Sequence, residues 1–192
     1  MKGVSRFSVV FLGAVAAACR DAGGSSATQT PLAGFGANVL LRVDPSTGAA
    51  TPVSGVGLVG YRSVEGIAYD QNTGTLYGVD KDTDQLITID PVSGAGTAVG
   101  PLGFGAVSGL AFDPNTDTLY GADVFGLVTI DTADGSAKAV GPFGPFGVGT
   151  LAFDPDTSIL YGSSGDRLLE INTASGAGTV IGPFGFGFVT GL

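Results

Sequence analysis

The feature that most constrains what this chain can fold into is a repeat of about 42 residues. Residues 64–106 (VEGIAYDQNTGTLYGVDKDTDQLITIDPVSGAGTAVGPLGFGA), 107–147 (VSGLAFDPNTDTLYGADVFGLVTIDTADGSAKAVGPFGPFG) and 148–188 (VGTLAFDPDTSILYGSSGDRLLEINTASGAGTVIGPFGFGF) copy one another, and VTGL at 189–192 opens a further copy. The starting valines Val64, Val107, Val148 and Val189 stand 43, 41 and 41 residues apart. A period of ~40–45 residues is that of a four-stranded propeller blade. Within the second copy, residues 109–112, 118–121, 127–131 and 137–140 read as four short strands, the third alternating as a half-buried strand does, and turn chemistry such as Asp113-Pro114-Asn115-Thr116 separates them. No stretch of the chain after residue 19 carries a 3.6-residue apolar period. The expected fold is all-β, a propeller-type repeat with three full four-stranded blades and partial blades at both ends.

Recurrence assigns structural roles. Asp70, Asp113 and Asp154 end the first strand, and Asp90, Asp131 and Asn172 follow the third; such side chains bond their own backbone and fix the turn. Tyr77, Tyr120 and Tyr161 recur after Leu and read as packing between blades. Residues 38–55 match the third and fourth strands of a blade. With 189–192 as a first strand they could form a composite fourth blade that lacks only its second strand, residues 189–192 pairing near Leu40 to Val43. The stop at Gly191-Leu192, where every earlier copy continues Ala-aromatic-Asp, favours instead an arc of a larger ring.

The N-terminus has other chemistry. Lys2 and Arg6 precede a 12-residue apolar run at 7–18, too short to span a bilayer but suited to a signal peptide. Three alanines then precede Cys19, the one cysteine of the chain. Residues 1–18 therefore read as a signal peptide, 19–37 as a flexible Gly/Ser-rich tether, and 38–192 as the repeat domain. Small residues before a cysteine resemble a bacterial lipoprotein signal, although Ala16 stands where a larger aliphatic residue is usual. That resemblance implies lipidation of Cys19 and a membrane-anchored protein of the bacterial cell envelope. Plain secretion is the alternative.

Composition narrows function. The chain has no His, so His-based nucleophilic catalysis and imidazole metal sites are excluded. The net charge of −9 argues against nucleic acid and anionic lipid, leaving the Cys19 anchor as the expected route to a membrane. The run Gly109-Leu110-Ala111-Phe112-Asp113-Pro114, with Leu119-Tyr120-Gly121 and Leu127-Val128-Thr129-Ile130-Asp131, resembles the bacterial extracytoplasmic propellers of the quinoprotein amine dehydrogenase-like and YVTN-type surface-repeat superfamily. The resemblance implies the fold and an extracytoplasmic setting. It implies no cofactor, because the chain lacks the Trp from which a quinone-derived group is made.

Three candidate sites follow. Asp80, Asp82 and Asp84 are spaced as the first ligands of a calcium loop, but Gln85 stands where that loop needs Gly and Pro91 where it needs Glu, so a solvated acidic turn is expected and no metal. The position after each starting valine (Glu65, Ser108, Gly149, Thr190) precedes the innermost strand and differs between blades. With Arg62 it is expected near one mouth of a central channel, so Arg62, Glu65, Ser108 and Thr190 are the candidate binding residues. Phe104, Phe143, Phe146, Phe184 and Phe186 gather in the connections between blades, either as wedges or as an exposed apolar patch. The functional expectation is a non-catalytic module that binds a protein or glycan. The alternatives are an enzyme-associated propeller, lyase or dehydrogenase-like, and a structural surface-layer repeat.

Overall fold

The computed structural model of the chain describes residues 16–17, 32–35, 39–43, 47, 49–53, 61–185, 189 and 191–192. Among them every regular element is a strand, and the strands form four antiparallel four-stranded sheets. Blade 1 holds β1 (Ala16–Ala17), β2 (Leu32–Phe35), β3 (Val39–Val43) and β4 (Ala50–Pro52). Blade 2 holds β5 (Val64–Asp70), β6 (Thr75–Asp80), β7 (Gln85–Ile89) and β8 (Gly96–Pro101). Blade 3 holds β9 (Gly109–Asp113), β10 (Thr118–Asp123), β11 (Gly126–Ile130) and β12 (Ala137–Gly141). Blade 4 holds β13 (Thr150–Asp154), β14 (Ile159–Ser164), β15 (Arg167–Ile171) and β16 (Gly178–Pro183). Each blade is a meander in chain order, and β9 lies between β5 and β13, so the first strands form the inner rim of an arc.

Neighbouring side chains on a strand point to opposite faces, and this decides where the core sits. In blade 2, Leu86 faces blade 3 and Ile87 faces blade 1. Leu86 joins Ala68, Tyr77 and Val79 in a cluster with Leu110, Phe112, Leu119, Val128 and Ile130 of blade 3. Ile87 joins Leu40 of blade 1. The same positions recur one blade later, where Ala111, Tyr120, Ala122 and Leu127 meet Leu151, Leu160, Leu169 and Ile171. The core is thus a series of apolar seams between blades. Tyr77 and Tyr120 sit in these seams as expected, each 7% exposed. In blades 2, 3 and 4 the outer pair carries a bulge at the same place, between Leu86 and Ile87, Leu127 and Val128, and Leu168 and Leu169; bulges increase local strand twist.

The turn chemistry also matches expectation. Asp70 accepts hydrogen bonds from the N–H of Asn72 at 2.8 Å, Asp113 from that of Asn115 at 2.9 Å, and Asp154 from that of Asp156 at 2.9 Å. Asp90, Asp131 and Asn172 do the same for Val92, Ala133 and Ala174.

Two features differ from the sequence expectation. Leu32–Phe35, within the stretch read as tether, is a strand paired with Val39–Val43, Leu32 opposite Arg42 and Phe35 opposite Val39. Ala16–Ala17, within the stretch read as leader, pairs with it in turn. The edge of β3 that was expected to receive residues 189–192 is therefore occupied. Val189 rests instead on blade 4: its N–H donates to Gly165 O at 3.3 Å, and its carbonyl accepts from Ser163 Oγ at 3.1 Å. The physical reason lies in the repeat, since Val189 occupies the place of Val107 and Val148, against the blade that precedes it.

Candidate functional site

Strand direction sorts the loops into two ends. The turns after each first strand lie at one end. The starts of the first strands and the turns between second and third strands lie at the other, the variable end.

At the first end the polar groups are spent on structure. Thr116 Oγ1 donates to Asp113 Oδ2 at 2.7 Å, and Thr157 Oγ1 to Asp154 Oδ2 at 2.8 Å. Asn72 Nδ2 reaches across to blade 3 and donates to Pro114 O at 2.9 Å and Asp117 Oδ1 at 2.6 Å. Asn115 Nδ2 repeats this on blade 4, with Pro155 O and Ser158 Oγ, both at 3.2 Å. Reading the sequence finds these asparagines only as turn residues; their role as latches between blades needs the next blade in place. Asp117 and Ser158 have φ of 52° and 57°, left-handed values that turn their side chains toward the incoming Asn.

At the variable end the inner strands approach closely. A Cβ on Gly66 would stand 2.8 Å from Ser108 O, and one on Gly109 would stand 2.9 Å from Thr150 Cα. Glycine at these two places lets consecutive inner strands touch through their backbones. The contact brings Glu65, Ser108 and Gly149 to one level of the inner rim. Glu65 lies within β5, at the bulge between Val64 and Ile67. Both its oxygens are 3.1 Å from Lys81 Nζ, in an ion pair whose side chains are 43% and 37% exposed for Lys81 and Glu65. Such a pair is worth ~0–1 kcal/mol and is readily opened by a ligand. Arg62 is exposed beside it in sequence, whereas Ser108 Oγ is engaged with Gly149 O at 3.3 Å. Thr190 and Cys19 lie outside the described residues. Lys81 escaped the sequence reading because its partner is 16 residues away and visible only once β5 and β6 pair.

The acidic turn is solvated except at its first carboxylate: Asp82 is exposed and Asp84 half-buried. Asp80 is 1% exposed, and its carboxylate accepts from Thr83 N at 3.1 Å, Thr83 Oγ1 at 2.6 Å and Ser63 N at 3.3 Å. Among the described residues no three His, Cys, Asp or Glu side chains gather as a metal site does. The phenylalanines act chiefly as wedges. Phe143 is 2% exposed, and Phe104 and Phe146 pack against the two seams that flank blade 3. Phe184 is half-buried, and Phe186 is outside the described residues. Burying aromatic area between blades outweighs presenting it to water. The exposed aromatic is another one: Phe125, 84% exposed beside Val124, 64% exposed, in the β10–β11 turn. Its sequence signal is the break in pattern, Val-Phe where the neighbouring blades carry Lys-Asp-Thr-Asp and Gly-Asp. A groove of about 320 Å³ lies on blade 3, lined by Asp117, Thr129, Asp131, Thr132, Ser136 and Lys138.

No protein-family model matches the chain, and no curated protein matches it. Solved structures do. A chain of the nidogen–laminin complex aligns over 85% of this chain and 64% of its own, at 18% identity and a TM-score of 0.65. A gluconolactonase of Xanthomonas campestris aligns over 86% and 62%, at 17% identity and a TM-score of 0.62. A protein of unknown function from Bacteroides thetaiotaomicron aligns over 82% and 42%, at 18% identity and a TM-score of 0.58. The chain spans less than two thirds of the length of each. At these identities the likeness shows architecture alone, and with the four blades described above it establishes an all-β propeller-type fold.

Proposed function

We propose that this chain is a non-catalytic propeller domain, exported and anchored to the bacterial cell envelope through lipid on Cys19, that binds a protein or glycan at its variable end. The observation that carries this reading is the contrast between the two ends. One end repeats the same Asp, Thr and Asn chemistry and consumes it in turns and latches. The other changes from blade to blade, with Glu65–Lys81 and Arg62 on blade 2, Val124–Phe125 on blade 3 and Asp166–Arg167 on blade 4. Residues freed from a structural task at loop ends of a rigid scaffold are where binding specificity is built. The repeat resemblance to extracytoplasmic surface propellers agrees with the setting.

Two experiments test this. Cys19→Ser is expected to move the protein from the detergent phase to the aqueous phase; equal partitioning of the two forms sinks the anchor. Calorimetric titration with peptidoglycan fragments is expected to give saturable binding, weakened at least ~tenfold in Lys81→Ala/Phe125→Ser, since truncating interface anchors commonly costs more than 1 kcal/mol. Binding that ignores both substitutions removes the variable end from the proposal. One solved neighbour is a gluconolactonase, so turnover of a sugar lactone by the purified protein favours the enzymatic alternative instead.

A further inference from the structure

Blade 3 is sealed to a blade on each side, so the exposure of its turns owes nothing to a missing neighbour. Its β10–β11 turn still presents Val124 and Phe125 to water, 64% and 84% exposed. At the same place blade 2 carries Lys81, Asp82, Thr83 and Asp84, and blade 4 carries Gly165 and Asp166, the solvated chemistry usual in such a turn. Neither apolar side chain has a seam to hold, since both lie outside the clusters that join the blades. The tip is also stiff. Asp123 pairs with Gly126 and closes a two-residue turn. The Phe125 N–H donates to Asp123 Oδ2 at 3.1 Å, and Asp123 is 3% exposed. A Cβ on Gly126 would stand 2.2 Å from Gly141 O and 2.8 Å from Pro142 Cα, so the base of the turn is clamped under the chain that leaves β12. An aromatic displayed on a rigid turn loses little conformational freedom on binding, as an interface anchor should.

We infer that Val124–Phe125 is a preformed knob that enters an apolar pocket of a partner protein whose rim carries Lys or Arg. The inference rests on the variable end being the binding end, and it assigns the protein ligand to this turn. Shape and chemistry choose the occupant. A convex apolar tip needs a concave apolar partner, which a protein supplies. Sugars are held by placed hydrogen-bonding groups, and this turn offers none, because Asp123 is buried on its own backbone and Gly126 has no side chain. Charge sets the rim. Lys81 is engaged by Glu65, and Arg167 lies 3.8 Å from Asp166, while Arg62 belongs to the inner rim. Asp82 and Asp84 of the adjoining blade's turn form no ion pair among the described residues. Those two carboxylates, on a chain of net charge −9, attract a basic rim and repel an anionic bilayer.

The test begins with p-benzoylphenylalanine in place of Phe125, of Lys81, or of Val92, which is 77% exposed at the other end, each in the full chain in the cells that make it. Light is expected to give a discrete protein adduct from position 125 and none from 92. The adduct's protein is then purified and titrated against the unsubstituted chain and its variants. Phe125→Ser is expected to weaken binding at least ~tenfold, with an unchanged thermal midpoint because the ring is in water. Asp82→Asn/Asp84→Asn is expected to slow association and flatten its salt dependence, and Val92→Ser to change neither. An adduct from 81 with none from 125 overturns the knob and leaves the variable end as the binding end; no adduct from either overturns both. Affinity that ignores Phe125→Ser also overturns the inference. So does binding to phosphatidylglycerol vesicles or peptidoglycan fragments that Phe125→Ser alone abolishes, which gives the tip to lipid or to glycan.

Discussion

Leu102, Phe143 and Phe184 occupy one repeat position, and the structure assigns them different energetic weight. Phe143 is 2% exposed and packs with Tyr120, Val148, Leu151, Leu160 and Leu169, so it holds blade 3 to blade 4. Truncating a buried Phe to Ala removes its transfer free energy and leaves a cavity, at a combined cost of ~3–5 kcal/mol. Leu102→Ala is expected to cost ~2–4 kcal/mol by the same reasoning, since Leu102 is 1% exposed in the seam between blades 2 and 3. Phe184→Ala removes a side chain that is only partly buried, so a smaller cost, ~1 kcal/mol, is expected. Against a total of ~5–15 kcal/mol, Phe143→Ala alone consumes a large share of the folding free energy. Its thermal midpoint is expected to fall by roughly 10 °C, at ~2–4 °C per kcal/mol for a chain of this length. Urea unfolding followed by far-ultraviolet circular dichroism reads the series, and an unchanged slope with a lowered midpoint identifies a stability effect. The backbone bond from Gly178 N to Phe143 O survives all three substitutions, so packing alone is compared. Equal losses for Phe143→Ala and Phe184→Ala would refute the view that a following blade supplies the burial.

Asn115→Ala deletes a latch to Pro155 O and Ser158 Oγ and is expected to cost ~1 kcal/mol in the same assay. Gly109→Val drives side-chain atoms into the β13 backbone 2.9–3.1 Å from the Cβ position; large destabilisation or failure to fold is expected, and soluble protein with an unchanged midpoint rejects the close approach. The Asp90 carboxyl is held below its ordinary range by the N–H groups of Val92 and then Ser93, and that of Asp134 by the Ser136 side chain and then its N–H. A depressed carboxylate contributes stability that is present above the unfolded value, ~3.9, and is lost as pH falls through the folded value, so acid unfolding is expected to begin below about pH 4. Asp90→Asn and Asp134→Asn should each flatten that limb, as read by midpoints between pH 2 and 5.

What was legible in the sequence is what a single blade encodes. The Asp-x-x-Thr turns and the short strands between them depend on neighbours within one repeat, and Asp113 with Thr116 behaves as its spacing implies. What was not legible depends on the neighbouring copy. The Asn72 side chain looks like ordinary turn chemistry until Pro114 and Asp117 stand beside it, and Lys81 looks like a solvated charge until β5 brings Glu65 within 3.1 Å. The phenylalanines left two outcomes open because the choice rests on whether a seam exists to receive each ring. Phe125 was hidden by attention to recurrence, since its significance lies in breaking the pattern. Strand Leu32–Phe35 shows the opposite limit: Gly- and Ala-rich composition reads as tether, but backbone pairing to Val39–Val43 needs few large side chains.

The seams between blades 1 and 2, 2 and 3, and 3 and 4 all join blades consecutive in sequence. Connectivity of that kind makes the blades a one-dimensional array whose stability is a sum of units and nearest-neighbour terms. Its mechanical consequence is a stepwise response to tension. A blade drawn out of the array uncovers only the seam face of its neighbour, as loss of blade 4 would uncover Leu127 and Phe143 of blade 3, and leaves the other seams untouched. Each repeat of that length releases 41 residues, or ~140 Å of extended chain, so chain is released in steps of one repeat while the remaining blades stay folded.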